Sequence, residues 1–274
     1  MKYHIEKNTV QETLVIPLYG RKICSERYPE LLQDKNAERI CDRLDYDFDS
    51  QKKKMESVAG QFGALEVAQR HYDLICEVRD YLKTHPKAAV VNLGCGLDDT
   101  FSKVDNGECK GYNIDMHDVI EIRNGLLPAG EREKNIACDL NDYSWFDLID
   151  ASYGAVFFAA GVFYYFKTED VKKLFCAMAN RFKGAVLAFD ACNKRGAKMM
   201  MKTWLKEAGI TDVDVFSRWR LKQRFKTGVS VSLGHSEKLY ARLQRYLQRS
   251  QRRPQAVDQV LRQSCKNEDH SDYF

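Results

Sequence analysis

Five short apolar runs in the middle of the chain constrain its fold more than any other feature. They are AAVVNLGCG from Ala88, CKGYNID from Cys109, KNIACDL from Lys134, AVFFAAG from Ala155 and AVLAFD from Ala185. Each is almost continuous in its apolarity and ends in a polar or glycine-bearing turn. Continuous rather than alternating apolarity marks strands covered on both faces. Between the fourth and fifth runs, EDVKKLFCAMANRF has helical spacing. The alternation predicts βαβ units, hence an α/β fold built on a parallel sheet with helices on both sides.

The flanking regions differ in pattern. In QFGALEVAQRHYDLICEVRDYL, the residues Phe62, Leu65, Ala68, Tyr72, Ile75, Val78 and Leu82 recur every three or four positions, and Pro86 follows. That is the apolar stripe of an amphipathic helix with a stop signal. Residues 1–85 are expected to form a helical cap, with a lid within 18–60, and residues 86–235 the core. After Lys194 a helix, KRGAKMMMKTWLKEAG, precedes two weaker strands, DVDVF and VSVSL. Residues 236–274 hold a basic helix and a polar tail.

Composition excludes several classes. With 44% hydrophobic and 30% charged residues among 274, the chain has the make-up of an ordinary globular protein. No apolar run approaches the ~20 residues that cross a bilayer, and the first residues lack a signal peptide's apolar centre, so a cytoplasmic protein is expected. The 9 cysteines are odd in number and never spaced as Cys-x-x-Cys. They read as small apolar filler, with neither a disulfide framework nor a zinc site expected.

The first run ends in VVNLGCGLDD, where Gly94 and Gly96 let the backbone turn tightly and approach a ligand. A dinucleotide-binding turn would place a third glycine at position 99 and a pyrophosphate on the next helix. Position 99 is instead Asp99, preceded by Asp98. Two carboxylates there are expected to repel a diphosphate and to favour a ligand that carries positive charge, such as S-adenosylmethionine. Asp115 closes the second run, 19 residues beyond Gly96, where an acid can accept ribose hydroxyls. Asp139 closes the third, placed to accept from an adenine amino group while Leu140 packs on the ring. Tyr164 and Tyr165, just past Gly161, are expected to shape an acceptor pocket, and Phe157 and Phe158 to be core.

ETLVIPLYGRK, VVNLGCGLD, IDMHDVIEIRNGLLP, NIACDLND and AAGVFYYF, in that order over roughly residues 10–235, resemble the polyketide O-methyltransferases of the tetracenomycin type. These are grouped with the leucine carboxyl methyltransferases. The resemblance implies a Rossmann-like class I methyltransferase fold with a mostly parallel seven-stranded sheet, and S-adenosylmethionine as the cofactor. It implies that Arg70 holds the cofactor's methionine carboxylate, that Arg21 lies near the same site, and that Arg123 pairs ions structurally. Cys95 of the turn, Met116 and Ala160 complete the expected cofactor contacts. The family's arginine after the turn is missing here, since Asp99 and Thr100 follow Asp98. Where protein-directed members carry a glutamate, this chain has Ala159, Ala160 and Gly161, which points toward a small-molecule acceptor.

Methyl transfer from a sulfonium is an in-line displacement that depends mainly on alignment in a dry cleft. A carboxylate acceptor needs no base, whereas a phenol benefits from one. His71, His117, His235 and Tyr164 are candidate bases, none in a recognisable dyad. Two alternatives remain at this level. The stretch from His235 to Arg253 carries six lysines or arginines against one glutamate, which would suit a nucleic-acid methyltransferase. A cofactor-binding relative without turnover is the other.

Overall fold

A computed structural model of the chain describes residues 2–5, 11–29, 32–190 and 231–232. Its centre is a sheet of six parallel strands: β3 (Ala89–Leu93), β4 (Lys110–Asp115), β5 (Glu133–Ala137), β6 (Ala155–Ala159), β7 (Val186–Phe189) and β8 (Val231–Ser232). Their spatial order is β5-β4-β3-β6-β7-β8. The order reverses between β3 and β6, so a crevice opens at the carboxyl ends of these two strands, where ligands of doubly wound sheets bind.

All five apolar runs are strands, and burial on both faces explains their continuous apolarity. Every residue of β3 and of β6 is buried. Along β3, Ala89, Val91 and Leu93 face a cluster containing Trp145, Phe157 and Phe182, with Leu174 and Met178 of α7 (Thr168–Arg181). Val90 faces the opposite cluster, with Leu74, Ile75 and Val78 of α4 (Val58–Leu82) and Phe101 and Val104 of α5 (Thr100–Val104). Phe157 and Phe158 are core, as expected. The third run departs from the pattern: β5 is the sheet edge, with Lys134 and Ala137 exposed.

The long helix expected from Phe62 to Leu82 is α4. Its buried face runs through Ala64, Leu65, Val67, Ala68, His71, Leu74, Ile75, Val78 and Leu82, while Tyr72 is exposed. The stripe passes through His71 instead, which turns inward to meet the Asp98 carboxylate at 3.1 Å. Of the seven strands expected, six are seen among the described residues. DVDVF, the helix from Lys194, His235 and the basic helix with its tail lie outside them.

The N-terminal helices α1 (Glu12–Arg27), α2 (Lys35–Arg43) and α3 (Asp49–Glu56) share a second core with α6 (His117–Leu126). Val15, Leu18 and Ile23 of α1 meet Ala37 and Ile40 of α2, Met55 of α3 and Ile122 of α6. Leu97, just past the glycine turn, belongs to this core too. A two-stranded parallel pair, β1 (Tyr3–His4) with β2 (Leu44–Asp45), closes its outer side. Cys24, Cys41, Cys95 and Cys109 are buried filler as expected, whereas Cys176 is exposed.

Candidate cofactor and acceptor site

Gly94, Cys95 and Gly96 carry the chain from β3 into its turn. Gly94 has φ +64, and a Cβ there would lie 2.6 Å from a methyl of Val162. The turn is therefore pressed against the segment that follows β6, and only glycine fits. Three arginine or histidine side chains from separate helices fix it from beneath. Arg21 of α1 donates to the Leu97 carbonyl at 3.1 Å. Arg123 of α6 donates to the Gly96 and Asp98 carbonyls at 2.9 and 2.6 Å and lies 3.7 Å from Glu133. This matches the structural ion-pairing role expected for Arg123. His71 of α4 meets Asp98 at 3.1 Å.

The expectation that Asp98 and Asp99 offer free negative charge to a ligand is overturned. Both are bonded to partners inside the protein. Asp98 pairs with His71 and lies 3.8 Å from Arg21, and its Oδ1 accepts from the Thr100 N–H at 2.6 Å. Asp99 accepts from Lys103 at 2.8 Å and from Asn36 at 2.7 Å. Burial pushes the Asp98 carboxyl up, but His71, Arg21 and Thr100 outweigh it and leave it well below the usual carboxylate range. Asp99 is likewise raised by burial and lowered further by Lys103 and Arg21. The sequence conceals much of this because Arg21, Asn36 and His71 lie on other helices, although Lys103 stands only four residues beyond Asp99.

The same cluster contains Asp34, whose Oδ2 is 3.0 Å from Arg21 Nε, an ion pair without the alignment of a hydrogen bond. Asp34, His71 and Asp99 converge closely enough to resemble a metal-ligand set. Lys103 Nζ stands among them, 2.8 Å from His71 Nε2, 2.8 Å from Asp99 and 3.3 Å from Asp34. Its ammonium supplies the cation for that set. An ammonium only donates, so His71 Nε2 accepts and Nδ1 carries the proton given to Asp98. His71 is thus a member of a buried network and not a base facing a ligand.

A cavity of about 580 Å³ opens above the turn. All ten expected cofactor residues line it: Arg21, Arg70, Gly94, Cys95, Gly96, Asp115, Met116, Asp139, Leu140 and Ala160. Tyr164 and Tyr165 line it as well, and His117 does not, standing exposed at the start of α6. Thr13, Ile16 and Pro17 of α1 form the facing wall. Pro17 has no N–H for the carbonyl one turn back and loosens α1 where it borders the cavity.

The lining residues differ in how far they are committed. Asp115 Oδ2 accepts from Gly96 N at 2.7 Å and Oδ1 from Met116 N at 2.8 Å. These bonds aim the carboxylate and leave further lone pairs for a ligand. Burial raises its affinity for protons more than the two N–H groups lower it. Asp139 is exposed and accepts from the N–H and side chain of Asn141, while Leu140 beside it is buried. Arg21 is buried and spent on Asp34, Asp98 and Leu97, so its carboxylate-holding capacity is largely used within the protein. Arg70 is partly exposed and donates from Nη1 to Asp190 Oδ2 at 3.0 Å. Its guanidinium stays charged, since Asp190, Tyr164 and Glu66 together outweigh the effect of burial.

Asp190 escaped the sequence reading. It closes the fifth apolar run as Asp115 and Asp139 close the second and third, and that repetition was the available signal. Its Oδ2 also accepts from the Tyr164 hydroxyl at 3.0 Å, and its Oδ1 from Gly161 N at 2.7 Å.

With the geometry in place, comparison with known proteins decides the family. The family model described as leucine carboxyl methyltransferase matches residues 18–179, more than half of the chain. The chain belongs to that family. It is 28% identical over 187 residues to the tetracenomycin polyketide synthesis O-methyltransferase TcmP of Streptomyces glaucescens. The match spans 66% of this chain and 66% of that protein, slightly under two thirds of its length. Among solved structures, an O-methyltransferase family protein from Burkholderia thailandensis aligns over 76% of this chain and 64% of its own at 14% identity, with a TM-score of 0.43. The N-methyltransferase NodS from Bradyrhizobium japonicum, in complex with S-adenosyl-L-homocysteine, aligns over 69% and 85% at 16% identity, with a TM-score of 0.39.

The buried network makes a prediction about stability. Asp98 is held below its unfolded proton affinity, so its contribution is full above about pH 4 and fades as pH falls below it. Asp98→Asn is expected to cost ~3–5 kcal/mol at pH 7, as for a broken buried pair. The gap between wild type and variant in denaturant unfolding should then narrow on acidification below pH ~4. A gap that stays constant or widens toward acid contradicts the charge assignment.

Proposed function

We propose that this protein is an S-adenosylmethionine-dependent O-methyltransferase that methylates a carboxylate or hydroxyl of a small molecule. The observation that carries the reading is the arrangement of the cavity: a glycine turn, an aimed Asp115, and the partly exposed Arg70 at one crevice of a parallel sheet. Membership of the leucine carboxyl methyltransferase family supports it.

The donor set fits such a cofactor and fits a dinucleotide poorly. A pyrophosphate would need the N–H groups at the start of α5. There Asp98 already accepts from Thr100 N, so the chain's own carboxylate fills the anion position. Asp115 suits a ribose diol, Met116 and Leu140 the faces of a base, Asp139 its amino group, and Arg70 a carboxylate through paired N–H donors. Residues 1–85 act as the cap, with α1 and the Val67–Arg70 stretch of α4 bordering the cavity, and a lid within 18–60 belongs to the same reading.

When bound, S-adenosylmethionine supplies an electrophilic methyl group on a sulfonium. The protein's part is to align the acceptor oxygen and exclude water. Tyr164, Tyr165 and Phe166 form the wall past β6 that would receive the acceptor. No histidine lines the cavity among the described residues, and the Tyr164 hydroxyl spends its proton on Asp190. Those facts favour positioning without a general base, and therefore an acceptor that is already ionised. Among the described residues no helix is long and apolar enough to cross a membrane.

Incubation with methyl-labelled S-adenosylmethionine and a cell extract, split into small-molecule, protein and RNA fractions, is expected to label the first. Label confined to RNA would instead favour the nucleic-acid reading. Once an acceptor is isolated, the rate of transfer should be flat above pH ~6, where carboxylates are ionised. A rise continuing toward pH ~10 would replace the carboxylate with a phenol.

A further inference from the structure

We propose that Asp190 is a positioning residue for methyl transfer, orienting the Arg70 guanidinium toward the amino-acid end of the cofactor from behind the cavity wall. The inference rests on the reading of Arg70 given under Proposed function and adds to it the group that makes Arg70 competent.

Asp190 sits just after β7 and gathers three partners from two distant stretches of the chain. Arg70 comes from α4, Gly161 from the turn after β6, and Tyr164 from the short helical turn beyond it. All three partners border the cavity, whereas Asp190 is not part of its wall. The carboxylate thus acts on a ligand through them.

The geometry restricts the guanidinium on two sides. Nη1 donates to Asp190 Oδ2 at 3.0 Å. Gly161, at φ +71, brings its backbone so near that a Cβ there would lie 2.9 Å from the same nitrogen. A long arginine side chain otherwise samples many rotamers, which ligand binding must freeze. One anchored N–H fixes the plane of the fork and leaves its remaining donors for a second carboxylate. The Gly161 N–H bond to Asp190 Oδ1, at 2.7 Å, fixes the carboxylate in turn. A plain bridge between α4 and the sheet would require none of the Gly161 and Tyr164 contacts.

The test compares two ligands that share a nucleoside and differ in the amino-acid end. S-adenosylhomocysteine carries carboxylate and ammonium; 5′-methylthioadenosine carries neither. Both are titrated calorimetrically into wild type, Asp190→Ala, Arg70→Ala and the double variant. Asp190→Ala should weaken S-adenosylhomocysteine by about tenfold to a hundredfold, the range for a charged hydrogen bond. It should leave 5′-methylthioadenosine unchanged, and it should cost nothing further once Arg70 is alanine. Equal losses for both ligands, no loss at all, or full additivity in the double variant would overturn the proposal. If Asp190→Ala does not fold, Asp190→Asn keeps the size and one acceptor, and the same selective loss is expected at smaller size. Failure of the cofactor reading itself looks different: wild type would then bind neither ligand.

Discussion

The structure depends on a set of charged and hydrogen-bonding side chains buried beneath the glycine turn. Arg21, Asp34, His71, Asp98, Asp99 and Lys103 come from α1, from the residue that caps α2, from α4, and from the turn and α5. A buried charge is costly unless it is paired and hydrogen-bonded, and here the charged side chains have partners on several sides. Such a network is a weak source of net stability compared with an apolar core of the same shape. What it does provide is one geometry, because removing any member leaves another charge buried and unpaired.

That geometry is what the cavity needs. The turn between β3 and α5 buries Cys95 and Leu97, but Gly94 and Gly96 bring no side chain to hold its backbone. Arg21 and Arg123 hold its carbonyls, His71 holds the carboxylate that caps Thr100, and Asp115 receives the Gly96 N–H. The N-terminal helices therefore do two things at once: they bury their own core and they reach under the turn with Arg21. The loop that borders the cavity is set before any ligand arrives, so less ordering entropy is lost on binding.

How much of this was legible follows from where each signal sits in the chain. Local patterns were readable: the continuous apolar runs became strands because β3 and β6 are covered on both faces, and the stripe from Leu65 to Leu82 became α4. The glycine turn and the acids closing the second and third runs were readable as well, since spacing alone places Asp115 beside Gly96. Charge balance was not. Asp98 and Asp99 look like exposed acids until Arg21 and His71, from other helices, are folded against them. Their charge is therefore not offered to a cationic ligand, and what discourages a diphosphate is instead that Asp98 already occupies the α5 N-terminus. Asp190 was overlooked because its three partners lie between 26 and 120 residues away.

The most direct measurement of this account is amide hydrogen exchange at residues 95–100 in the ligand-free protein. Cys95 N, Gly96 N, Asp98 N and Thr100 N all have acceptors within the fold. If the buried charges preset the turn, these amides exchange as slowly as those of β3 and gain little on adding S-adenosylhomocysteine. Fast exchange in the free protein, with protection appearing only when the ligand is present, would mean that the ligand and not the network builds the site.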